Sequence, residues 1–112
     1  METKRFLDLI LGHEGYYCVF AAKAGNLRQE FYTSVNEVID AANGFNANGY
    51  DAYFALGVLE ETGSRKADNV THLKSFFLDL DCGPSKEFPN QKAAISELRA
   101  FCKRHNLPKP TL

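Results

Sequence analysis

The stretch 74-KSFFLDLDCG-83 decides how this chain is expected to fold. Phe76, Phe77, Leu78 and Leu80 are the residues of an apolar strand, and Cys82, Gly83 and Pro84 supply turn chemistry behind it. Read as a buried strand over 74–81, the segment carries Asp79 and Asp81 through an otherwise apolar element. A buried carboxylate is costly unless it is paired, hydrogen-bonded or bound to metal. Strand alternation would put both aspartates on one face, with Phe76, Leu78 and Leu80 on the other. Their Cα atoms would lie about 6.6 Å apart at ~3.3 Å per residue. Two such carboxylates can share one divalent ion or a closely spaced pair. Carboxylate oxygens suit Mg²⁺ or Mn²⁺, and substrate phosphates commonly complete the shell. The pair also falls at the C-terminal end of its strand, where α/β sheets place ligands. The other reading keeps Asp79 in a salt bridge and uses Asp81 to open a turn into Cys82–Gly83. A lone D-x-D does not choose between them. A calcium-binding EF-hand loop is excluded, because Gly83 and Pro84 stand where a third oxygen ligand and the loop glycine belong.

Working outward, the same rules divide the rest of the chain. The start, METKRFLDLILGHEG, reads as an amphipathic helix from about Thr3 to Leu11, capped by Thr3 and stopped by Gly12, not as a signal peptide. Residues 16–23 and 27–34 read as strands of an antiparallel hairpin, with Gly25 and Asn26 taking the positive φ angles of the turn. Ser34 and Glu37 form a capping box for a helix through Ala42, which Asn43–Gly44 should stop. Residues 51–60 give a third strand, 61–70 a polar loop, and 74–81 the fourth strand. A helix follows from about Gln91 to His105, with Ala94, Leu98, Phe101 and Cys102 on one stripe. Helices interleaved with strands and opened by a hairpin predict an α/β (α+β) domain with a mixed or antiparallel sheet and flanking helices.

Composition narrows the function classes. The chain has 112 residues, 45% of them hydrophobic and 24% charged, which is the balance of one small folded domain or a piece of a larger one. A formal net charge of −1 gives no global positive field, so any nucleic-acid contact must be local. No apolar run approaches the ~20 residues of a transmembrane helix, so no membrane role is expected. Cys18, Cys82 and Cys102 have no short paired spacing and read as reduced thiols of a cytoplasmic protein. Cys102 and His105 share a helical three-residue spacing, which is half a zinc site.

The segment FFLDLDCGPSKEFPNQKAAISELRAFCKRHNLPKPTL resembles the catalytic strand and following helix of archaeo-eukaryotic-type primase–polymerase domains. The closest likeness is to those at the N-terminus of phage and plasmid primase–helicase proteins. Features carrying the resemblance are an apolar strand ending in D-x-D, a small turn with a lysine, a helix, and the LPKPT step at 107–111. Upstream, YFALGVLEETGSRKADNV is similar to the strand and basic loop before that motif. The second half of the chain is covered well, and the first half only in its order of elements.

The resemblance implies the N-terminal half of a core related to the RNA-recognition fold. It makes residues 1–112 a single domain, the N-terminal portion of a larger primase–polymerase domain. Asp79 and Asp81 would be the catalytic metal ligands for Mg²⁺ or Mn²⁺. Nucleoside triphosphates and a single-stranded DNA template would be partners, with a helicase domain or subunit alongside. The family's serine–x–histidine motif and third carboxylate lie downstream of the first motif, beyond Leu112. Self-association of the fragment is expected from an uncovered sheet edge.

Other residues carry paired readings. Lys86, after the turn, can meet a triphosphate or remain a solvated loop lysine. Arg65 and Lys66 can contact nucleotide or template phosphates or simply be hydrated. Lys103, Arg104, His105 and Lys109 form a basic cluster that the helix C-terminus favours without any ligand. Tyr16, Tyr17, Phe20 and Phe31 can stack bases or pack the hairpin core. Two alternatives to the nucleotidyltransferase remain. One is an accessory domain that binds nucleic acid or protein and uses the aspartates structurally. The other is a haloacid dehalogenase-like phosphatase with Asp79 as nucleophile and Asp81 as general acid, although Gly83 stands where that family has Thr or Val.

Overall fold

The computed structural model describes residues 2–110 and is an α+β protein. It comprises α1 (Thr3–Ile10), β1 (Tyr17–Lys23), β2 (Asn26–Tyr32), α2 (Val35–Ala47), β3 (Asp51–Phe54), β4 (Val58–Leu59), β5 (Val70–His72) and α3 (Gln91–Arg104), with a 3₁₀ turn over Ala67–Asn69. The described strands form an antiparallel three-stranded sheet in the order β2-β1-β3 and an antiparallel pair β4-β5. The chain divides into two compact units, Met1–Phe76 and Phe77–Leu112.

In the first unit the hairpin sets everything else. Lys23 pairs with Asn26, so only Ala24 and Gly25 make the turn, and both have positive φ, 44° and 86°. That is the mirror-image turn whose twist matches paired strands. The left-handed pair is Ala24–Gly25, not Gly25–Asn26, because the register closes one residue earlier than the sequence suggests. Along β1, Tyr17, Val19 and Ala21 share one face and are buried, whereas on the other face Cys18 is buried and Phe20 and Ala22 are half-buried. Tyr17 and Val19 join Leu7 and Leu11 at α1, Val35 and Val38 of α2, and Val58 in one core. Helices α1 and α2 therefore cover one face of the sheet.

The capping box is formed as expected. Ser34 Oγ accepts from the Glu37 N–H, and Glu37 Oε2 accepts from the Ser34 N–H at 3.0 Å. Four other expectations are corrected. Thr3 does not cap α1; it is the first helical residue, behind Glu2, with no side-chain cap. Asn43–Gly44 does not stop α2, which continues to Ala47 because Phe45 packs on the core and against Tyr50, ring centroids 5.5 Å apart. The third strand breaks after Phe54, and Val58–Leu59 turns to pair with Val70–His72.

The fourth correction concerns 74–81, which forms no strand. Lys74 Nζ and Ser75 Oγ donate to the carbonyls of Asp8 and Ile10, at 2.6 and 3.2 Å, and fasten that end of the first unit to α1. Beyond it Phe76, Phe77 and Leu78 are exposed, and no ladder partner reaches them among the described residues. A strand needs a neighbour for its N–H and C=O groups, and apolar composition alone does not supply one.

In the second unit, Cys82 bridges Phe88, the Gly83 N–H donates to the Phe88 carbonyl at 2.9 Å, and α3 follows. Asn90 caps α3 by accepting from the Ala93 N–H at 2.9 Å. No helix among the described residues is long and apolar enough to cross a membrane.

Candidate functional site

The predicted site residues fall into two groups, one in each unit. In the second, Asp79 and Asp81 are both exposed, so neither carries a desolvation cost that a ligand must offset. The question raised by a buried acid pair thus loses its premise. Without a pleated strand, alternation no longer fixes the two carboxylates to one side. Asp79 makes no hydrogen bond or ion pair with the described residues, whereas Lys86 Nζ lies 2.9 Å from Asp81 Oδ2.

A tight turn sets this pair. Gly83 has φ 151°, in a region that only glycine enters readily, and its carbonyl accepts from the Lys86 N–H at 3.1 Å. The chain folds back and brings Lys86 over Asp81. Asp81 remains 79% exposed and Lys86 49%, so the pair is solvent-screened and contributes about 0–1 kcal/mol. Lys86 is therefore a weakly held cation that an arriving phosphate or metal can redistribute.

Asp79 and Asp81 are oxygen donors of the kind Mg²⁺ and Mn²⁺ prefer, and both stand in solvent. Among the described residues, no group of three or more His, Cys, Asp or Glu side chains converges to enclose an ion.

The first unit holds Arg65 and Lys66 in a loop ordered by Asn69, which the sequence reading overlooked. The Asn69 side chain donates to the carbonyls of Glu61 and Ser64, at 2.8 and 2.6 Å, and accepts from the Glu61 N–H at 3.1 Å. Its one clue in sequence was an amide at the end of a polar loop, just before β-branched Val70 and Thr71. With Gln29, Gly63 and Ser64, the two basic residues line an open cavity of about 420 Å³.

Arg65 also reaches back over the sheet, with its guanidinium carbon 4.1 Å from the centre of the Phe20 ring. It lies close enough to Cys18 to offset part of the rise in thiol pKa caused by burial. Phe20 pairs with Tyr53 across the β1–β3 ladder, and their rings stand 6.2 Å apart. Tyr53 is 56% exposed. It was not singled out in the sequence, although alternation through 51-DAYF-54 opposes it to Phe20. Of the aromatics named from the sequence, Phe20 and Phe31 face away from α1 and α2, as the register with Cys18 requires. Tyr17 belongs to the core, with its hydroxyl donating to the Gly12 carbonyl at 2.7 Å. Tyr16 is half-buried and bridges Leu59.

Compared with protein-family models, curated proteins and solved structures, the chain finds no match in any of the three.

Proposed function

We propose that the chain is part of a primase–polymerase nucleotidyltransferase of a mobile-element replication protein, with Asp79 and Asp81 as its first metal-binding motif. The observation that carries this reading is the solvent-facing acid pair with one lysine poised on it. Because the Lys86–Asp81 contact is weak, Asp81 is available to a divalent cation, and Lys86 is then released toward a triphosphate. A bound Mg²⁺ or Mn²⁺ would supply activation of a 3′-hydroxyl and charge stabilisation on the leaving pyrophosphate. The chain's own contribution is to present two carboxylates and a cation on a short, turn-constrained segment. Nucleoside triphosphates and single-stranded DNA are the corresponding substrates, and a helicase domain or subunit is the corresponding partner. With only two carboxylates in the motif, these 112 residues alone are expected to synthesise no primer.

The test is Mn²⁺ titration of the whole chain and its Asp79→Asn and Asp81→Asn variants, followed by water-proton relaxation. Weak saturable binding that each substitution abolishes is the expected result. Equal Mn²⁺ affinity in all three proteins would remove the metal motif and favour the non-catalytic accessory reading. Metal-dependent primer synthesis by the chain alone would overturn the expected inactivity.

A further inference from the structure

The sheet face turned away from α1 and α2 carries chemistry that the aspartate motif does not use. Its central position is Phe20, flanked by Gln29 on β2 and Tyr53 on β3, which both ladders place directly opposite it. Tyr53 leaves more than half of its surface free, and the Arg65 guanidinium already lies over Phe20. Lys66 adjoins Arg65 in a loop whose shape the Asn69 side chain fixes, so both cations are presented on ordered backbone.

We infer that this face binds single-stranded nucleic acid. Bases stack on Tyr53 and on the outer side of the Arg65 guanidinium, and the adjoining phosphate enters the cavity lined by Arg65 and Lys66. Three observations favour this occupant over an apolar protein segment. Planar groups of two kinds, phenol ring and guanidinium, both border the Phe20 ring, which suits flat bases of any sequence. The cavity beside them holds about 420 Å³, large enough for a nucleotide-sized group, and its two charged residues are both cations. At the ladder positions of this face, Asp51 at the end of β3 is the single acid, opposite Ala22 rather than Phe20. Glu60, Glu61 and Asp68 of the loop that carries Arg65 and Lys66 are exposed acids outside the cavity lining, so the excess of cations is confined to the cavity itself. This inference does not depend on Asp79 or Asp81.

Fluorescence anisotropy with a labelled oligothymidylate of about 12 nucleotides tests it, using the whole chain at low salt with EDTA present. Saturable binding is expected. Tyr53→Ala should weaken it ~5-fold to ~100-fold, the range for losing one base–aromatic stack. Tyr53→Phe keeps the ring and should bind like the wild type, which separates stacking from folding damage. Arg65→Ala should weaken binding and flatten the log–log salt dependence by ~0.7, one phosphate contact on a single strand. Because EDTA removes any divalent ion, this binding is read independently of the Mn²⁺ titration, so failure of the metal motif and failure of this surface are distinguishable. The inference is overturned by no saturable binding, by Tyr53→Ala binding like wild type, or by duplex DNA competing as well as the single strand.

Discussion

Replacing Ala24 by Asn tests the element that aligns Phe20 with Gln29 and Tyr53. The hairpin loop is two residues long, and Ala24 occupies its first left-handed position at φ 44°. The Cβ–carbonyl clash there costs an L-residue about 1–2 kcal/mol. Asparagine tolerates the conformation better, and Asn-Gly is the preferred pair for this turn. Recovering half of the clash gives a gain of about 0.5–1 kcal/mol, or a rise of ~2–6 °C in Tm for a domain of this size.

Gly25→Ala should do the opposite. A Cβ at Gly25 would meet nothing within 4 Å, so the loss, again about 1–2 kcal/mol, would be conformational alone. Urea unfolding followed by tyrosine emission reads both variants. The chain has no tryptophan, and its five tyrosines all lie between residues 16 and 53, so the signal reports the first unit. A lowered midpoint in Ala24→Asn, or an unchanged one in Gly25→Ala, would refute the assignment of the turn.

Other perturbations read the caps and the core. Hydrogen bonds from the Ser34 hydroxyl and the Thr33 and Ser34 N–H groups hold the Glu37 carboxyl below its ordinary value of 4.5. A depressed carboxyl pKa stabilises the fold above the unfolded value and loses that contribution as pH falls through the folded one. Glu37→Gln should therefore flatten the acid side of the stability–pH curve, measured by urea midpoints from neutral pH to pH 3. Tyr17→Phe keeps the buried ring but leaves the Gly12 carbonyl without its donor, and should cost about 1–3 kcal/mol in the same assay.

Local chemistry made much of the first unit legible. The Ser34–Glu37 box and the strands at 17–23 and 26–32 arise from residues that act on neighbours within a few positions, as does the helix at 91–104 in the second unit. Breaker rules failed where packing outweighed them. Gly44 in a helix interior costs about 1 kcal/mol, yet the next residue, Phe45, gains a place on the core, and α2 passes through.

Sequence by itself determined the class of fold, the hairpin and the presence of two acids and a lysine in one short segment. Tertiary structure decided that β4 pairs with β5, that 74–81 has no strand partner among the described residues, and that its aspartates stand in solvent. It also joined Phe20, Tyr53 and Arg65, which lie 12 to 45 positions apart in the chain. Periodicity and capping are properties of neighbouring residues, whereas a strand or a stacked cluster exists only when a distant segment supplies the other half of its bonds.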